Sequence, residues 1–188
     1  MNGQTAAPNQ LDLVIGFVNT LDIDSGSEQL GDPAALATWL SRHGLIDPEG
    51  ALSDRDLAAA IGLREALRRA MAAHNGGPDD ASTALELDTI ARRGELGVHF
   101  PAPESVRLVP GARGVDGALA ALLVPVAQAM QGGSWQRAKA CRAPDCQWAF
   151  YDRSRNRSAT WCEMAICGNR TKVRAYRART PATKRRAS

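Results

Sequence analysis

Four cysteines define the chemistry open to this chain. They read Cys141-x4-Cys146-x15-Cys162-x4-Cys167, two equal pairs inside 27 residues, with no other cysteine among 188 residues. Four thiolates at that spacing suit a tetrahedral Zn²⁺ with closed coordination, the structural kind of zinc site, one ion per chain. No position remains for a metal-bound water, which argues against catalytic zinc. Each pair is separated by four residues rather than the commoner two. An iron–sulfur cluster and a set of redox thiols therefore stay as alternatives. Inside the first pair, Pro144-Asp145 is a turn signal that folds the chain back and brings both sulfurs to one metal.

The cysteines lie in a basic setting. Trp135–Ser188 carries 14 Lys/Arg and three Asp/Glu, a net of +11, whereas Met1–Ser134 carries nine against 17, a net of −8. Two modules with different partners explain this asymmetry: residues 1–134 and residues 135–188. A strongly basic module implies a polyanion, most often nucleic acid. Two cationic runs flank Cys162. In "DRSRNRS", Arg153, Arg155 and Arg157 alternate, so an extended backbone points all three one way, and Ser154, Asn156 and Ser158 add phosphate donors. After Cys167, Arg170, Arg174 and Arg177 fall on one helical stripe, flanked by Lys172 and Arg179. Asn169 is expected to cap that helix and Pro181 to stop it, with Val173 and Tyr176 packing back on the metal core. Trp148, Tyr151 and Trp161 either pack around the metal or stack on unpaired bases.

These residues need elements to hold them. "WAFYD" reads as a strand. Upstream, "DPAALATWLSRHG" reads as a helix capped by Asp32 with Pro33 at its first position, and a long helix capped by Ser53 ends at Asn75-Gly76-Gly77. A weaker helix covers 78–93, two short strands lie near 98–100 and 106–109, and an apolar helix containing Pro125 runs to Gly132-Gly133. The apolar run Leu11–Leu21 is compatible with a buried strand or a helix. The expected fold class is mainly α, with some β: a helix-rich domain with a small β element, then a four-cysteine finger made of a hairpin and a basic helix.

The helical part offers little chemistry. It has no phosphate-binding Walker loop, no dinucleotide glycine fingerprint and no HExxH. His43 and His74 fall at helix ends and His99 in a strand, and none is expected to be catalytic. Asn19, closing the apolar run, is a turn cap or a weak candidate for ligand contact. The chain is expected not to be an enzyme. It shows no segment of about 18 uninterrupted apolar residues and no secretory leader, so a cytoplasmic protein without membrane attachment is expected.

In Cys141-x4-Cys146, in "WAFYDRSRNRSATWC" and in Cys167-Gly168-Asn169-Arg170 entering a basic helix, the chain resembles the CGNR zinc fingers, over roughly Trp135–Arg179. "LVIGFVNTLD" and the helical domain resemble the ABATE-type domain that accompanies this finger. The resemblance implies a bacterial, stress-linked transcription regulator whose four cysteines bind zinc and whose finger binds DNA. It also implies an N-terminal sensing unit for an unknown small-molecule effector. RNA binding is the alternative reading, and a small-molecule binder or enzyme centred on the helical domain is a second. A homodimer is compatible with either.

Overall fold

The computed structural model describes residues 8–47 and 51–179. Its first helix, α1, spans Pro8–Val18. Leu11, Val14, Phe17 and Val18 are all buried, so the 3.6-residue period, not strand alternation, is what places this apolar run in the core. A tight antiparallel turn follows, β1 (Leu21–Asp22) against β2 (Ser27–Glu28). Helix α2 (Pro33–Arg42) opens as expected, Ala35 N–H donating to the Asp32 carboxylate at 2.7 Å. Helix α3 (Asp54–Ala73) opens on a reciprocal capping box between Ser53 and Asp56. Helix α4 (Ala81–Arg93) is capped by Asp80.

Strands β3 (Leu96–Ala102) and β4 (Ser105–Pro110) form an antiparallel ribbon with a register shift between His99 and Ala102. Helix α5 (Gly114–Gln131) then runs through the middle of the bundle, and residues along most of its length, Pro125 included, are buried. By length and hydropathy α5 is the one candidate membrane span among the described residues, and half of it is buried inside the protein. Its apolarity is that of a central core helix. Gly94 is required beside it, because a Cβ there would collide with the Ala120 side chain and the Asp116 carbonyl. His43 and His74 occupy the C-cap positions of α2 and α3, and His99 is exposed on β3.

Past Gly133, which sits at φ +68°, the chain makes a short 3₁₀ turn, Trp135–Arg137. Strands β5 (Ala138–Ala140) and β6 (Ala149–Tyr151) follow as an antiparallel hairpin. Helix α6 (Asn169–Arg179) ends the described chain, so the stop expected at Pro181 lies outside the described residues. The chain crosses at 134/135 from its acidic to its basic half without leaving the core. Trp135, Ala138, Ala140 and Ala149 belong to the same buried cluster as Phe17, Leu67 and Leu119.

Candidate metal centre and basic helix

The β5–β6 hairpin delivers the first cysteine pair. Cys141 follows β5 directly, and its N–H donates to Trp148 O at 2.9 Å. The 141–146 knuckle closes through Cys146 N–H to Ala143 O at 2.9 Å. Polar groups of the helical domain hold the hairpin from behind. Asn19 Nδ2 donates to Ala149 O at 2.9 Å and Asn19 Oδ1 accepts from Ala149 N at 2.8 Å. Its amide thus pairs with β6 as a neighbouring strand would. Asn19 is buried and both ends of its amide are used, so this residue docks the finger rather than waiting for a ligand. Buried Arg68 spans Val18 O at 2.7 Å and Gln147 O at 3.1 Å. His74 Nδ1 donates to Ala138 O at 2.8 Å, and Asn75 Nδ2 to both Ala140 O and Thr160 O.

The second pair comes from a loop and a π-helical turn, Met164–Gly168. Between them and β6 runs the segment 152–159, shaped by one buried ion pair. Lys139 Nζ donates to Asp152 Oδ2 at 2.7 Å, Arg157 O at 2.6 Å and Ala159 O at 3.0 Å. Asp152 also accepts from the N–H groups of Ser154 and Ala159. Burial acts to raise the Asp152 carboxyl, but the Lys139 ammonium and the hydrogen bonds from Ser154 together outweigh it and hold the pKa at about 2. Gly168 is fixed by space: a Cβ there would run into the Met164 and Trp161 side chains.

The four Sγ atoms all lie within 4.8 Å of one another. Cys146–Cys162 and Cys162–Cys167 are each separated by 3.7 Å. A regular ZnS₄ tetrahedron with Zn–S bonds near 2.3 Å has edges of about 3.8 Å, so the set fits zinc. Cys141, Cys146 and Cys167 are buried and Cys162 is partly exposed. Burial pushes the Cys146 thiol up to about 12, and burial with the neighbouring thiols raises Cys162 as well. Against its burial, the hydrogen bond from Arg170 lowers the Cys167 thiol, and a bound cation would balance the four sulfurs as thiolates together. Cys141, Cys146, Cys162 and Cys167 are the ligands of one structural zinc, and with four sulfurs the site has no open position.

The basic residues are placed differently from the sequence expectation. Arg153, Arg155 and Arg157 do not alternate on a strand. They lie on the turn wrapped around Lys139, with Arg157 at φ +53° and its Nη1 3.3 Å from Gln136 Oε1. The physical reason is the buried ammonium, which draws the Arg157 and Ala159 carbonyls inward and curls the backbone. Asn169 does not cap α6. It has helical dihedrals and donates to Ala165 O, because the π turn feeds straight into the helix. Val173 and Tyr176 are exposed at 47% and 66%, so neither packs on the metal core. Arg170 and Thr171, at the start of the helix, contact Cys167 directly. Trp161 is the aromatic that packs on them, while Tyr151 joins the main core and Trp148 is exposed.

Within the stripe, Lys172 and Arg177 are exposed, and Arg179 closes α6 with its side chain outside the described set. Arg170 and Arg174 instead make ion pairs with Asp24 and Asp145. The sequence marks Asp145 only as a turn residue, and it marks neither Asp24 as an arginine partner nor Lys139 and Asp152 as a buried pair. The only signals were a lone lysine in a strand of alanines and an aspartate after an aromatic run. For a small-molecule ligand, the structure offers not Asn19 but a cavity of about 700 Å³ between Gly44–Asp47 and the start of α5.

A helical domain with a four-thiolate finger docked on its own core is a zinc-finger protein of two fused modules. The chain belongs to the ABATE family, described as "Putative stress-induced transcription regulator", whose model matches residues 11–131. The model of the CGNR zinc finger matches residues 137–180. No curated protein matches the chain.

Proposed function

We propose that this chain is a DNA-binding transcription regulator that acts in the cytoplasm by binding rather than by catalysis. One observation carries the reading: the zinc site ties a curled arginine loop and a basic helix to one rigid base. Arg153, Arg155, Lys172 and Arg177 stand exposed on these two elements. Their charge suits a phosphate backbone, and the zinc makes their placement conditional on metal. The helical domain supplies the regulatory input, through an effector or a second copy.

Titrating the zinc-loaded chain with a labelled duplex at rising salt tests this. Four phosphate contacts give a slope of log K against log salt near −4. A slope near zero, or equal affinity for the metal-free chain, would refute the reading. Exposed Trp148 keeps RNA in view, since an exposed indole can stack on an unpaired base. Structured RNA that outcompetes duplex DNA at equal salt would move the assignment to RNA.

A further inference from the structure

The first two teeth of the basic stripe are already holding anions. Arg170 donates from Nη1 and Nη2 to the two carboxylate oxygens of Asp24, at 2.8 and 3.0 Å. Arg174 does the same to Asp145, at 3.0 and 2.7 Å. The two forks adjoin, with Arg170 Nη1 3.5 Å from Asp145 Oδ2. Arg170 Nη2 also reaches Cys167 Sγ at 3.5 Å, which fastens this guanidinium to the zinc site whatever anion it holds.

A phosphodiester presents what these carboxylates present: two oxygens sharing one negative charge, in the span a guanidinium fork matches. Both pairs are solvent-facing, with Asp24 44% and Asp145 35% exposed in their side chains, so exchange of one anion for another is open. The two carboxylates have separate origins. Asp145 belongs to the first cysteine knuckle. Asp24 sits in the β1–β2 turn of the helical domain, and that turn is built to aim it. Asp22 accepts from Asp24 N, Ser25 N and Ser25 Oγ, and Glu28 at the end of the turn is held by buried Arg64 at 2.7 Å.

We infer that Arg170 and Arg174 form a two-point phosphate clamp that the protein keeps filled with the carboxylates of Asp24 and Asp145, so that a nucleic-acid backbone engages the start of α6 only by displacing them. The inference rests on the nucleic-acid reading above. Displaced, the carboxylates remain beside the incoming phosphates and repel them. The helical domain thereby sets the affinity of the finger through a single turn, and a movement of that turn releases Arg170.

The test uses the zinc-loaded full chain, its Asp24→Asn, Asp145→Asn and double variants, and Glu104→Gln as a control. Glu104 lies in the exposed β3–β4 turn, and its substitution makes the same change in net charge. Binding to one labelled duplex is read at a fixed low salt, with zinc content measured in parallel. Each asparagine variant is expected to bind about fivefold tighter than the parent, while the control stays within about twofold. Affinities equal to or weaker than the control, at full zinc content, overturn the clamp and leave the pairs as structural contacts. Should Asp24→Asn lose zinc, Asp145→Asn reads the same clamp without touching the helical domain. A parent that fails to bind while the double variant binds supports a clamp held shut. If no form binds duplex DNA or structured RNA, the nucleic-acid reading falls and the clamp falls with it. Parental binding with unchanged variants removes the clamp alone.

Discussion

Lys139 and Asp152 are almost inaccessible to solvent, at 5% and 1%. Two opposite charges at that depth are stable only together, and together they shape the arginine loop. Replacing Asp152 with Asn leaves the ammonium uncompensated, and chemical denaturation should show a loss of about 3 kcal/mol. The pair also sets a pH window. The Asp152 carboxyl is depressed in the fold from 3.8 to about 2, so its contribution is complete above pH 4 and disappears as pH falls toward 2. The stability gap between parent and Asp152→Asn should shrink over that interval by on the order of 2 kcal/mol. A gap that stays constant would contradict the pairing. At the metal, Cys162→Ser should lose the bound zinc, as read by metal analysis; full retention would exclude a four-thiolate site.

At the scale of elements, the helices were legible and the docking was not. Asp32-Pro33, Ser53 and the glycine pair after Asn75 punctuate α2 and α3 through local capping, which a sequence carries in adjacent residues. Cysteine spacing was legible for the same reason. What the sequence hid is long-range: Asn19 meets Ala149 across 130 residues, and Arg170 meets Asp24 across 146. Alternation of the arginines assumes an extended chain, whereas buried Lys139 on β5, one strand back, curls the loop. The exposure of Val173 and Tyr176 was hidden too, since an apolar pair on a basic helix marks a face without saying what covers it. Removing the Asn19 amide tests the docking. Asn19→Ala strands the N–H and C=O of Ala149 in the core, which should cost about 2 kcal/mol and lower the melting temperature by about 4–8 °C.

For the whole molecule, one core beneath both halves predicts one transition. Because Trp135, Ala138 and Ala149 are packed among the helices, calorimetry of the zinc-loaded chain should show a single peak that moves down when a chelator takes the metal. Two separate peaks, with only the smaller one responding to chelation, would mean that the finger is an independent appendage. The salt slope belongs to this scale as well, since it counts the phosphates that the molecule neutralises at once.

The amide of Asn19 has a consequence for engineering. A zinc module that folds on metal alone can be cut out and moved between proteins. This finger cannot be transplanted so simply. Excised, β5 and β6 would show water an alanine face shaped for α1 and α3, and Ala149 would lose the side chain that completes its hydrogen bonding. A graft of this finger onto another scaffold would have to bring Asn19, Arg68, His74 and Asn75 with it, so the finger and its helical partner move as one unit.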